Sequence, residues 1–173
     1  MTRPARSLAP AALALALGAC TQAALPPDRD ACLVGTWNPV GNGAAEWVER
    51  QAPGIRMAIT HQAATLVLLD DGRYREHTRI QASTTAPGGE RARSDAHSSA
   101  AGQWRSAEGT LTLAPSGSEM GGTVKPDPGA AFILPEAQVQ ATDQAYICRG
   151  DELETRLQIP GIADPIVQRY RRE

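Results

Sequence analysis

The sequence has few aromatic residues, no surplus of basic charge and no long apolar run. Its 173 residues include three tryptophans, three tyrosines and one phenylalanine, a small supply for lining an apolar cavity. The longest apolar run lies within residues 8–19, whereas a transmembrane helix needs about 20 apolar residues. The formal net charge is −2, which argues against nucleic acid as a partner.

Residue patterns that support catalysis or metal binding are also missing. The three histidines, His61, His77 and His97, are not spaced as metal ligands. Residues 94–100 contain serine, aspartate and histidine side by side, but such a stretch does not assemble a triad, and no Gly-x-Ser-x-Gly elbow is present. No glycine-rich phosphate loop occurs. The sequence therefore predicts a protein that is not an enzyme and has no metal or cofactor.

The first residues have the layout of a secretory signal peptide. Two arginines precede the apolar run of residues 8–19, and the run ends in "LGAC" at Cys20. This tetrad resembles the lipobox of bacterial lipoproteins, which implies cleavage before Cys20 and attachment of diacylglycerol and palmitate to that cysteine. The alternative is an ordinary signal peptide that is cleaved near Ala19 or Ala24.

The residues after Cys20 predict where the chain is held. Thr21 follows the expected lipid site, instead of the aspartate that commonly retains lipoproteins in an inner membrane. We therefore expect a cell-envelope protein that is anchored by its lipid. If the cell has an outer membrane, we expect the protein to be anchored there and to face the periplasm. Residues 20–31 contain a Pro-Pro pair and no periodicity, which predicts a flexible tether. The predicted divisions are a signal peptide (1–19), the tether (20–31) and one folded domain (32–173).

Export also determines how the three cysteines are interpreted. If Cys20 carries lipid, Cys32 and Cys148 remain as a pair in an oxidising compartment, which predicts a disulfide. Such a bridge would bring the start of the domain beside a strand near its end. Two buried free thiols and a two-cysteine metal site are the alternatives, although no CxxC or neighbouring histidine supports a metal.

The folded domain has the alternation and turn residues of antiparallel strands. Residues 43–52 alone favour a helix, and residues 83–95 and 115–129 are predicted as loops because they are rich in Gly, Pro and Ser. Many short strands must protect their edges, and barrel closure does so. The prediction is an all-β, antiparallel, up-and-down barrel of about eight to ten strands with one short helix after the first strand. Three turns predict its hairpins: Asp71-Gly72, Glu108-Gly109 and Gly150-Asp151.

An ordered set of motifs resembles bacterial lipocalin-like (calycin-type) domains over residues 32–173. The set comprises "CLVGTW", "LLDDGRY", "GTLTL" and "YICRGDEL". Gly35 and Trp37 are similar to the Gly-x-Trp of the first lipocalin strand. The resemblance implies an arginine from the end of the barrel that stacks on this tryptophan; Arg169 is preferred and Arg171 is the alternative.

Two functions are expected from these features. The first is a non-catalytic binding module for a small apolar or amphiphilic ligand, because a barrel of about eight strands encloses side chains or one small ligand. The second is a filled barrel that docks another envelope component, with the basic face of Arg73, Arg75 and Arg79 suited to an acidic partner. The membrane is contacted through the lipid on Cys20. The sequence does not define the ligand-binding residues, and a shared fold does not transfer function.

Overall fold

The computed structural model describes residues 25–173, which form nine strands and one helix. No helix in this part of the chain is long and apolar enough to cross a membrane. The elements are β1 (Gly35–Val40), α1 (Gly43–Gln51), β2 (Arg56–Leu68), β3 (Arg73–Thr85), β4 (Arg91–Ala107), β5 (Thr110–Asp127), β6 (Phe132–Ala137), β7 (Thr142–Arg149), β8 (Glu152–Leu157) and β9 (Ile166–Arg172).

Eight of these strands close into an antiparallel barrel. Consecutive strands β1 to β5 pair in order, β5 pairs with β7, and β7 to β9 follow. The last strand then pairs with the first, Trp37 opposite Arg172. The predicted all-β barrel with one short helix after the first strand is therefore confirmed. The strand left outside the barrel, β6, pairs with the far half of β5.

The barrel is short, and four of its strands continue well beyond it. β1 pairs with β2 only through residues 66–68, and β7 pairs with β5 only through residues 110–113. The far halves of β2 to β5 instead pair with one another and with β6. We call this part the extension sheet; it comprises residues 56–65, 77–85, 91–99, 119–127 and 132–137.

The loops predicted at 83–95 and 115–129 are therefore wrong over most of their length. β3 runs to Thr85, β4 starts at Arg91, and β5 runs without interruption to Asp127. Glycine is compatible with these ladders because the strands approach closely there. A Cβ on Gly122 would lie 2.5 Å from the carbonyl oxygen of Asp95.

The three predicted hairpin turns lie together at one end of the barrel, which we call the closed end. The amide of Trp104 donates to the Gly72 carbonyl (2.7 Å), and the amide of Tyr146 donates to the Gly109 carbonyl (2.9 Å). The apolar core fills this end. Its buried members are Leu33, Trp37, Leu66, Leu68, Tyr74, Ala100, Trp104, Leu111, Leu113 and Leu153. The opposite end, called the open end, carries α1, which packs against β2 and β9.

The segment before β1 is bound to the closed end. The Asp28 carbonyl accepts from the Ser106 amide (2.7 Å), and the Asp30 amide donates to Ser106 Oγ (2.7 Å). The Asp30 carboxylate accepts from the Tyr146 hydroxyl (2.9 Å). The predicted tether of residues 20–31 is therefore ordered from residue 28 onward. Cys20 and the predicted signal peptide (1–19) lie outside the described residues.

The predicted disulfide between Cys32 and Cys148 is confirmed. The two Cα atoms are 6.0 Å apart, and the bond links the segment before β1 to β7. Of the three interpretations that the sequence allowed, the structure therefore supports the bridge over free thiols or a metal site.

The arginine that stacks on Trp37 is Arg172, so the preference for Arg169 is wrong. The Arg172 guanidinium carbon lies 4.2 Å from the centroid of the buried indole. Arg169 and Arg171 point outward and pair with Glu154 and Glu152. The reason is strand parity: Tyr170 and Arg172 face inward, and residues 169 and 171 face outward.

Gly35 is required by the same arginine. A Cβ at this position would lie 2.6 Å from Nη1 of Arg172, and the backbone φ is +149°. The Gly-x-Trp pattern therefore has a physical basis here. The glycine makes room for the guanidinium, and the tryptophan two residues later presents its face to it.

Candidate functional site

A partly open cavity of about 210 Å³ lies above the apolar core, where the barrel passes into the extension sheet at the open end. It is lined by side chains from β1, β2, β3, β7, β8 and β9, so closure of the barrel creates it. The lining comprises Pro39, Gln62, Ala64, Thr65, Leu66, Glu76, Thr78, Ile80, Gln144, Thr155, Leu157, Ile166, Gln168 and Tyr170.

The lining combines apolar and hydrogen-bonding side chains. Strand alternation aims Gln62, Ala64 and Leu66 of β2 into the barrel, and the register sets Leu66 opposite Glu76 and Gln62 opposite Ile80. Apolar side chains and side-chain amides and hydroxyls therefore share one wall. Such a surface suits an amphiphilic molecule better than a purely apolar one.

Glu76 is the one charged side chain among the residues that line the cavity. Glu76 is half-buried, and this partial burial raises the pKa of its carboxyl because it removes part of the water that solvates the charged form. The residues opposite Glu76 are Leu66 on β2 and Ala100 on β4, and neither has a side chain that can donate a hydrogen bond. The charged form of this carboxylate has no cationic partner among the described residues of the lining.

Tyr170 is the second ionisable group of the cavity. Burial raises the pKa of its hydroxyl, the nearby Glu76 charge raises it further, and a hydrogen bond with Thr155 opposes the shift in part. Tyr170 is therefore a neutral phenol at physiological pH, able to donate or accept a hydrogen bond.

The histidines do not form a site. Among residues 25–173, no three His, Cys, Asp or Glu side chains are grouped to hold a metal ion. Within residues 94–100, Asp95, His97 and Ser99 share one face of β4. The Asp95 carboxylate is held by Arg79 and Gln81, which lowers its pKa.

A shallow groove of about 760 Å³ crosses the outer face of β2 to β5, with Thr65, Arg75, His77, Ser99 and Glu119 in its lining. Its lining also includes the small residues Ala100, Ala101, Gly117 and Ser118. Glu119 contributes an acidic group beside the arginine and the histidine. This groove has mixed charge and lies on the face that was expected to be basic.

That outer face is less basic than its arginines suggest. Arg73 pairs with Asp71 at 2.6 Å, and Arg79 pairs with Asp95 at 3.0 Å. Of the three arginines expected to attract an acidic partner, Arg75 alone has no ion pair among the described residues. The outer face therefore offers an acidic partner less unpaired positive charge than the three arginines alone would.

Glu76 was missed by sequence reasoning, although a signal was present. In "RYREHTRI" the arginines and His77 alternate with Tyr74, Glu76, Thr78 and Ile80. The face with Tyr74 and Ile80 is the inward one, so Glu76 is a charged residue on an inward face. An interpretation of this strand that considers only its exposed arginines does not identify Glu76.

No protein-family model, curated protein or solved structure matches this chain. The closed, eight-stranded antiparallel barrel is consistent with a lipocalin-like fold. A shared barrel fold does not by itself specify a function.

Proposed function

We propose that this chain is a non-catalytic binding module of the cell envelope, anchored by lipid on Cys20, that takes a small amphiphilic ligand into its barrel. The observation that carries the proposal is the cavity of about 210 Å³ with its mixed lining. Sites for drug-sized ligands occupy roughly 300–1,000 Å³, so the ligand of this cavity is smaller than a drug-sized molecule.

The two ends of the barrel differ in a way that fits anchoring at the closed end and ligand binding toward the open end. The core and the Cys32–Cys148 bridge make the closed end solid, and the segment from Asp28 onward is fixed there. The cavity lies toward the other end. A lipid on Cys20 would thus hold the molecule by its solid end and leave the cavity accessible from the far side.

Lipid attachment is tested on the protein from its native host. Mass spectrometry of the mature chain should give an N-terminal peptide that begins with diacylglycerol-modified Cys20. A mature N-terminus at another residue, or an unmodified cysteine, would refute the anchor and leave the binding proposal intact.

Ligand binding is tested with three probes that share one chain: hexylammonium, hexanol and hexanoate. Titration calorimetry should detect binding of at least one probe to the wild-type protein. Ala64→Phe should abolish this binding because Ala64 lines the cavity. Ala63→Phe is the matched control, since Ala63 lies opposite the outward Arg79. Failure of all three probes, or binding that Ala64→Phe leaves unchanged, would reject the proposal.

The edge of the extension sheet favours a second candidate, the docking of another envelope component. Phe132 is 51% exposed and Ile133 is 80% exposed on β6, which pairs only with β5 among the described strands. An apolar edge strand can add a strand from a partner. A photo-cross-linker at position 133 should then give one discrete adduct in cells, and one at Gln103 should not. Equal labelling from both positions would reject docking at β6.

A further inference from the structure

We propose that the ligand of the barrel cavity carries an amine, and that its ammonium group pairs with Glu76. The inference rests on the proposed binding function and specifies the chemical class of ligand. It is drawn from the distribution of charge in the cavity and from the absence of any cation among the lining residues.

The charges around Glu76 come from few elements. On β3 its outward neighbours are Arg75 and His77, which face the outer groove, and Glu76 also belongs to the lining of that groove. Its inward neighbours on β3 are Tyr74 and Thr78. From β9 the Tyr170 phenol faces it, and the adjacent strands contribute Leu66 and Ala100. No Lys, Arg or His side chain lines the cavity with it.

Glu76 is half-buried, so its unpaired carboxylate has lost part of its hydration. Transfer of a charge from water is repaid only when a counter-charge and hydrogen bonds replace the lost hydration. An ammonium group would supply the counter-charge and three donors. Gln62, Thr78 and Gln168 line the same cavity and offer oxygen acceptors for the remaining donors.

A metal ion fits this site poorly. Calcium and magnesium need several oxygen ligands, usually with more than one carboxylate, and Glu76 is the one carboxylate of the lining. An organic cation needs a single counter-charge, hydrogen-bond acceptors and an apolar surface for its carbon atoms. Leu66, Ile80, Leu157 and Ile166 provide that surface. The cavity volume limits the ligand to a short amine.

The test compares hexylammonium, hexanol and hexanoate by titration calorimetry near neutral pH. Wild-type protein should bind hexylammonium most tightly and hexanoate most weakly. Glu76→Gln keeps the shape of the side chain and removes its charge, so it should weaken hexylammonium binding about tenfold or more while hexanol changes little. Glu119→Gln is the matched control, because Glu119 is an exposed glutamate in the outer groove. It should leave all three affinities unchanged.

The outcomes separate the two proposals. If hexanol or hexanoate binds best, or if Glu76→Gln binds hexylammonium as well as wild type, the amine proposal is wrong and the binding function stands. If no probe binds, both proposals fail.

A second measurement does not depend on a variant. Carbon-13 NMR of labelled glutamate follows the titration of Glu76 directly. Saturating hexylammonium should lower the pKa of this carboxyl, because a cation at contact favours its charged form. Saturating hexanol should not lower it comparably. If saturating hexylammonium leaves the pKa of the Glu76 carboxyl unchanged, the proposal is overturned.

Discussion

The guanidinium of Arg172 lies 4.2 Å from the centre of the Trp37 ring, and this contact joins the last strand of the barrel to the first. The same guanidinium donates to the carbonyls of Cys32 (2.7 Å) and Gly150 (3.1 Å), and also to that of Val34. The indole donates to the Leu33 carbonyl at 2.8 Å. One side chain thus ties the N-terminal segment, β9 and the β7–β8 turn together at the closed end.

Removal of either partner should therefore destabilise the barrel. Trp37→Ala should cost about 3–5 kcal/mol in the free energy of unfolding, because a buried indole is lost. Arg172→Ala should cost about 1–3 kcal/mol, through the lost stacking and three carbonyls left without their donor. Urea unfolding measures both, and the double variant should lose less than the sum of the single losses.

Arg169→Ala is the matched control for this cycle. Arg169 is exposed and makes a surface ion pair with Glu154, so its removal should cost less than about 1 kcal/mol. Additive losses for Trp37 and Arg172, or a larger loss for Arg169 than for Arg172, would contradict the assigned contact.

The Cys32–Cys148 bridge should contribute a large share of the stability. It joins residues separated by 116 positions, and the chain-entropy model assigns up to about 4–5 kcal/mol to so long a loop. The double variant Cys32→Ser/Cys148→Ser should unfold at a distinctly lower temperature than the oxidised wild type. Wild type treated with a reductant should approach the variant. Equal melting temperatures with and without reductant would show that the bridge is absent or without effect.

The barrel was predictable from local chemistry, because each hairpin needs only its own turn residues. Asp71-Gly72 and Gly150-Asp151 mark turns whatever the rest of the chain does. The choice among arginines 169, 171 and 172 was not predictable in this way. The strand "IVQRYRR" carries polar residues at both parities, so its sequence does not identify the inward face. That face is fixed by pairing with β1, and a shift of one residue inverts it.

The extension sheet was missed for a related reason. Glycine and proline argue against strands when a segment is considered alone. Here β4 and β5 pair with each other along almost their whole length, and Gly122 lies where the neighbouring backbone leaves no space for a side chain. The cavity was equally hidden, since its lining comes from six strands that only closure brings together.

Two glycines of the β4–β5 ladder should respond very differently to a methyl group. The register shifts between Ala101 and Gly102, and a Cβ on Gly102 would lie 2.1 Å from the carbonyl oxygen of Ala114. Gly102→Ala should therefore cost about 1–3 kcal/mol or more through backbone displacement. Gly117→Ala, where a Cβ meets nothing within 4 Å, should change stability by less than about 0.5 kcal/mol. Thermal unfolding compares the two; equal losses would contradict the described bulge.

Glu76 should make stability depend on pH in a defined direction. Burial raises the pKa of this carboxyl, so the folded state holds the proton more tightly than the unfolded state. Its contribution is fully present below the ordinary carboxyl pKa and is lost as pH rises through the folded pKa. Glu76→Gln should therefore gain stability over wild type as pH increases, in urea unfolding without ligand.

Glu154 provides the control of opposite sign. Arg156 and Arg169 lower the pKa of its carboxyl, so its contribution is present above the ordinary pKa and is lost on acidification. Glu154→Gln should therefore lose stability relative to wild type as pH rises. If the stabilities of both variants, relative to wild type, change in the same direction as pH rises, the description of Glu76 as partly buried without a cationic partner is contradicted.

The lipid anchor, if present, should set the orientation of the barrel at the membrane. Asp28 is bound at the closed end and lies eight positions after Cys20. An extended chain spans at most about 3.3–3.6 Å per residue, so the closed end stays within about 30 Å of the lipid. The turn between β3 and β4 lies at the other end of a 17-residue strand, which extends for roughly 55 Å.

Fluorophores on two exposed positions test this orientation. Asp151→Cys labels the closed end, and Glu90→Cys labels the far tip of the extension sheet. With the lipidated protein in vesicles that carry acceptor dyes on their headgroups, energy transfer should be strong from position 151 and weak from position 90. The same labels on a chain without Cys20 should give no difference. Equal transfer from both positions of the lipidated chain would mean that the barrel lies flat or turns freely. The open end of the barrel would then have no fixed orientation relative to the membrane. The structure would give no reason to expect the ligand to enter the cavity from the aqueous side.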